Sequence, residues 1–197
     1  MIDFTLAPEH EAVRQKVRDF VDNVIKPAME PYGHRDNMAP EMHSAYVKDL
    51  IELRHKAVEA GLWLPHMPKE VGGMGLGHVA LAMVQAEAAK TRVGPWVFNC
   101  NAPDEGNMHT LHHWATDEQK EKYLKPLLKG VSSSCFAMTE PEVAGSDPTL
   151  IRTNAVKDGD EWIINGHKWF ISGARRAKFA ILIARTEMDV PPGSRGA

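Results

Sequence analysis

The stretch from Phe136 to Ser146, Phe-Ala-Met-Thr-Glu-Pro-Glu-Val-Ala-Gly-Ser, is where the pattern of the chain changes. Before it, apolar residues recur at helical spacing; after Gly130 they alternate, so a helical part gives way to a sheet near Gly130 to Ser133. The strand then runs into a turn of small polar residues. Pro141 has no main-chain N–H to donate and suits a strand end, while Gly145 and Ser146 let amides and a hydroxyl approach an anionic ligand. By itself the stretch reads as no more than a strand leaving a helical region through a loop.

The helical part is punctuated clearly. Pro8 suits a first helical position, Glu9 and Glu11 suit the positive end of the dipole, and Val13, Val17, Phe20, Val21 and Val24 line one face. Pro27 is expected to end that helix. A second amphipathic helix carries Tyr46, Val47, Leu50, Ile51, Arg54, Ala57 and Val58 to a stop at Gly61. A third, from about 78 to 91, is so poor in charge that burial on most sides is expected. Residues from about 105 to 114 form another helix. Thr116-Asp117-Glu118-Gln119 is a capping box opening a last one, whose apolar face is Tyr123, Leu124, Leu127 and Leu128 before Gly130 closes it.

Beyond Gly130 the alternation predicts strands around Cys135 to Met138, over 152–157, 161–164, 167–172 and 179–185, with turns at Asp158-Gly159-Asp160, Asn165-Gly166 and Gly173-Ala174. Asn165-Gly166 is a strong two-residue hairpin signal. Together, Thr139-Glu140-Pro141 followed by Gly145-Ser146-Asp147, and Asn165-Gly166-His167-Lys168 followed by Trp169, Phe170 and Ser172, resemble the acyl-CoA dehydrogenase family in order and spacing. The chain departs from that pattern by one extra residue between Pro141 and Gly145, with Glu142 where Gly is usual. The longer loop, together with 99–108 and 168–170, resembles the branch that in some animals is fused to a phosphotransferase-like domain.

That resemblance implies an α+β chain: an N-terminal helical domain over 1–131 and part of a flavin-facing middle β-domain over 132–197. The expected architecture is a helical bundle followed by the start of an antiparallel β-barrel-like domain, without the family's C-terminal helical domain. It also implies FAD. Phe136, Met138 and Thr139 would line the flavin, Gly145 and Ser146 would meet pyrophosphate, with Ser146 also facing the acyl-CoA substrate, Phe170 and Ile171 would cover the ring, and Ser172 would offer a hydroxyl near its N5. No residue matches the family's catalytic base, a Glu of the C-terminal domain, so this chain alone is expected to be inactive. Pro191-Pro192-Gly193 is expected to be an exposed connection.

The resemblance further implies α,β-dehydrogenation of an acyl-CoA in fatty acid metabolism, an electron-transfer flavoprotein as acceptor, and a homo-oligomer when full length. Other readings within the superfamily are an acyl-CoA oxidase or a flavin monooxygenase; outside it, a non-catalytic interaction module.

Composition bounds these readings. A quarter of the 197 residues are charged and 43% are apolar, as in an ordinary globular chain. The net charge of −3 and the lack of basic runs give no electrostatic footprint for nucleic acid. No apolar run approaches the roughly 20 residues that span a bilayer. Two cysteines and an N-terminus without a signal pattern suit a cytoplasmic protein.

Three further motifs have simpler explanations. Gly75-Leu76-Gly77-His78-Val79-Ala80 fits a dinucleotide fingerprint, but no strand precedes it and Pro68 to Gly73 read as a turn between helices. His109, His112 and His113 lack the remaining parts of a zinc site. Ser132-Ser133-Ser134 lacks nucleophile-elbow glycines.

Overall fold

The computed structural model describes residues 5–33, 37–145 and 147–187. Ser146 and the Pro191-Pro192-Gly193 segment lie outside these. The chain divides into two compact units, Met1–His109 and Thr110–Ala197.

The first unit is helical. Helix α1 (Pro8–Phe20) passes through a wider π-type turn (Val21–Ile25) into α2 (Lys26–Met29), and is followed by α3 (His43–Glu59), α4 (His78–Ala88), α5 (Gly94–Val97) and the start of α6 (Asp104–Trp114). Pro27 does not end the first helix as expected. A proline ring collides with the carbonyl four residues back, and the π-type turn just before it opens the helix where that collision would fall. The same solution recurs at Pro126, behind the π-type turn Lys120–Leu124.

Helix α1 packs along α4 over a core that includes Val17, Phe20, Val21, Leu53, Leu62, Val84 and Phe98. Burial of each large side chain there is worth roughly 1.5–3 kcal/mol. Helix α4 buries Ala80, Val84, Glu87 and Ala88, while Val79 is half exposed, so only one of its faces is covered. The buried Glu87 carboxylate accepts from Arg18 at 2.7 Å and pairs with Lys90 at 2.5 Å. These partners, Arg18 first, outweigh the cost of burial and hold it at about 2. The turn at Pro68 to Gly73 forms as expected, and Gly73 is required there: a Cβ would fall 2.1 Å from the Met67 carbonyl oxygen.

The second unit continues with α7 (Asp117–Gln119) and α8 (Lys125–Leu128), then strands β1 (Ser134–Ala137), β2 (Asn154–Asp158), β3 (Glu161–Asn165) and β4 (Phe179–Leu182). The Thr116 capping box is fully formed, its hydroxyl accepting from the Gln119 amide and the Gln119 side chain accepting from the Thr116 amide. Strands β2 and β3 form an antiparallel hairpin closed at Gly159, whose φ is +58°. Strands β1 and β4 pair in parallel, Ser134 with Phe179 through Ala137 with Leu182, as a second two-stranded sheet, so the pairing is not antiparallel throughout as expected. Arg185 extends the line of β4 and exchanges main-chain bonds with the start of β2.

Asn165-Gly166 closes no hairpin, and 167–172 is not a strand. Gly166 has no positive φ; it is small because it abuts Thr153, where a Cβ would meet the hydroxyl oxygen at 2.2 Å. Further on, Phe170 at φ +52° breaks the extended backbone. No helix among the described residues is long and apolar enough to cross a membrane.

Candidate functional site

The expected site residues gather in the second unit around the end of β1. Cys135 and Ala137 are buried, while Phe136 and Met138 are half-buried, as alternation requires. Just past the strand, Thr139 is half-buried as well. Its carbonyl accepts from the Trp169 N–H at 3.1 Å, and at the other end of β1 Gly173 lies against the Ser134 carbonyl. The segment carrying Phe170, Ile171 and Ser172 therefore runs beside β1, in the opposite direction.

Gly145 folds back on Thr139: a Cβ there would be 3.1 Å from the Thr139 methyl. The longer loop thus still returns its glycine to the strand end. Glu142, the extra acidic residue, is exposed and lies 3.8 Å from the His167 imidazole. Asp147 caps the short turn Pro148–Leu150, its carboxylate accepting from the Thr149 amide and hydroxyl. Phe170 is 79% exposed and its ring tilts against Trp169 with centroids 4.5 Å apart. Ile171 is half-buried and Ser172 exposed at the start of a turn.

A buried polar cluster fixes this arrangement, and the sequence reading did not assign it. Glu140, 2% exposed, accepts from the amides of Arg152 at 2.7 Å and Thr153 at 2.8 Å, from the Thr153 hydroxyl, and from the Lys168 ammonium at 2.8 Å. Burial alone would raise its pKa; Lys168, Thr153 and the two amides overcome that and hold it at about 2. Lys168 also donates to the Met138 carbonyl at 2.8 Å. One carboxylate thus ties the strand end to both β2 and the segment at 168. The available signal was a lone Lys amid apolar and aromatic neighbours, matched by a Glu between Thr and Pro.

Thr139 differs from its surroundings. Among the described residues neither its N–H nor its hydroxyl has a hydrogen-bond partner, although both sit at a half-buried position beside an exposed aromatic pair. Such a place can accept a flat, partly polar ring: donors at one edge, an aromatic side chain alongside and a glycine where bulk would intrude.

Comparison with known proteins agrees with the family resemblance. Residues 7–131 match the acyl-CoA dehydrogenase N-terminal domain and 135–196 the acyl-CoA dehydrogenase middle domain. Human acyl-CoA dehydrogenase family member 11 is 40% identical over 190 residues, which are 93% of this chain and 24% of that protein. A solved Mycobacterium abscessus structure, described as an acyl-CoA dehydrogenase, superposes with a TM-score of 0.82 at 36% identity, covering 95% of this chain and 48% of that one. A Mycobacterium smegmatis glutaryl-CoA dehydrogenase in complex with FADH2 gives 0.66 at 25% identity, over 92% and 44%. The chain therefore spans a quarter to a half of the proteins that it matches. On its sequence, its fold and the residues at the end of β1, it belongs to the acyl-CoA dehydrogenase family.

Proposed function

We propose that the end of β1 is one wall of an FAD site and that the full-length protein removes hydrogen from the α and β carbons of an acyl-CoA thioester. The observation that carries this reading is Thr139, with two donors that no described residue satisfies, beside the exposed Phe170. When bound, the flavin ring supplies the hydride acceptor. The chain's own residues hold and orient it. The Thr139 amide and hydroxyl would bond its polar edge, Phe136, Met138, Ile171 and Phe170 would meet its apolar surface, and Ser172 would offer a second hydroxyl. Gly145, with Ser146, would leave room for pyrophosphate and the acyl-CoA.

Glu140 takes no part in removing the α-proton. Four donors saturate its carboxylate, and a group held at about 2 is a poor base at neutral pH. The base is expected in the C-terminal domain that the resemblance implies. A homo-oligomer, an electron-transfer flavoprotein as electron acceptor and a cytoplasmic location complete the reading.

The test is anaerobic addition of acyl-CoAs of graded chain length to the full-length protein. Bleaching of the visible flavin absorption by at least one of them is expected; a flavin that none of them bleaches would defeat the proposed reaction.

A further inference from the structure

We infer that Lys168, held in place by Glu140, tunes the reduction potential of the cofactor through the Met138–Thr139 peptide. The inference rests on the flavin site proposed above and concerns two residues outside the expected lining.

Lys168 donates to the Met138 carbonyl oxygen at 2.8 Å, and its side chain is only 10% exposed. That carbonyl and the Thr139 N–H belong to one planar peptide unit. A cation on the oxygen draws electron density from the nitrogen through the amide resonance and makes the N–H a stronger donor. The Thr139 N–H has no partner among the described residues, so its added strength is available to a ligand. Negative charge that gathers on the reduced ring is stabilised by such a donor, and the oxidised ring gains less. Lys168 therefore raises the potential.

Glu140 works in the opposite sense electrostatically while serving as the anchor. Its carboxylate, 2.8 Å from the ammonium and 1% exposed at the side chain, offsets much of the positive charge seen from the ring. Its other three donors come from Arg152 and Thr153, so it keeps Lys168 over the Met138 carbonyl without depending on solvent. A pair that served only as a brace would leave the potential unmoved, or would move it the same way whichever member was changed.

The experiment is redox titration of bound flavin in the full-length protein and in Lys168→Met and Glu140→Gln variants. Lys168→Met should lower the potential, so that at fixed poise the oxidised-to-reduced ratio rises about tenfold, or ~30 mV for a two-electron couple. Glu140→Gln, whose amide oxygen can still accept from the ammonium and keep it on the Met138 carbonyl while the negative charge is removed, should shift the ratio the other way. If Lys168→Met does not fold, Lys168→Gln, which keeps a neutral donor on a slightly shorter chain, should shift the ratio in the Lys168→Met direction. Shifts of the same sign in the Lys168 and Glu140 variants, or none, overturn the inference while leaving the flavin site intact. A wild-type protein that neither carries nor takes up FAD instead overturns the site reading itself.

Discussion

Gly166 lies directly against Thr153: a Cβ on Gly166 would approach the Thr153 hydroxyl oxygen to 2.2 Å and its Cα to 2.7 Å. The same hydroxyl donates to Glu140, so the contact bears on the whole polar cluster. Gly166→Ala should cost about 1–3 kcal/mol of stability from the forced shift. Denaturant unfolding checks this, and an alanine variant as stable as wild type would show that the segment after β3 is held elsewhere.

His66 is 6% exposed, its ring nitrogens have no partner among the described residues, and its ring meets His109 edge-on with centroids 5.3 Å apart. Burial first, then the neighbouring His109, lowers its pKa from 6.5 to about 4. In the unfolded chain His66 takes up a proton near pH 6.5, so its neutral form contributes fully above that pH and is lost as pH falls toward 4. The loss amounts to about 3 kcal/mol across that window. In His66→Phe, unfolding free energies measured from pH 7 to 4 should fall less steeply than in wild type; equal slopes would contradict this.

Glu140 titrates in a lower window. Its folded pKa of about 2 lies below its ordinary 4.5, so its contribution is complete above 4.5 and disappears as pH falls through about 2. Glu140→Gln should flatten the acid limb below pH 4.5 and leave the slope between 6.5 and 4.5 unchanged. A variant that unfolds in acid like wild type would mean that the carboxylate is not tied down in solution.

The Arg54 guanidinium lies 3.7 Å from the ring centre of Trp96 and 5.2 Å from that of Trp63, and it donates to the Trp96 carbonyl and the Asn99 side chain at 3.1 Å. Desolvation lowers its pKa to about 10, which still leaves it charged at neutral pH. Arg54→Ala should cost about 2–4 kcal/mol from the lost stacking and the two lost hydrogen bonds. Arg54→Lys should recover less than half of that, because an ammonium has no planar face to stack on a Trp ring and lacks the fixed fork of guanidinium donors. Full recovery by lysine would show that charge alone matters.

How far the sequence disclosed this structure depended on whether a residue acts locally. The Thr116 box, Gly61 and Gly130 act within a turn of themselves, and each sits where the pattern put it. Pro27 misled because its effect was absorbed by a π-type turn that periodicity does not signal. Asn165-Gly166 misled for a different reason: Gly166 is small because Thr153, distant in sequence, occupies its Cβ position, and not because a turn needs positive φ. The candidate lining was legible from motif spacing, and the structure brings Thr139, Gly145 and the segment at 169–173 together. Glu140 and Lys168 could not be assigned from pattern, since their partnership exists only once two loops meet.

The most direct test is a crystal structure of the full-length protein with FAD. The isoalloxazine ring should lie against Thr139 and Phe170, with the Thr139 N–H within hydrogen-bonding distance of the ring's polar edge. A ring bound elsewhere, with Thr139 facing solvent or another side chain, would contradict the account.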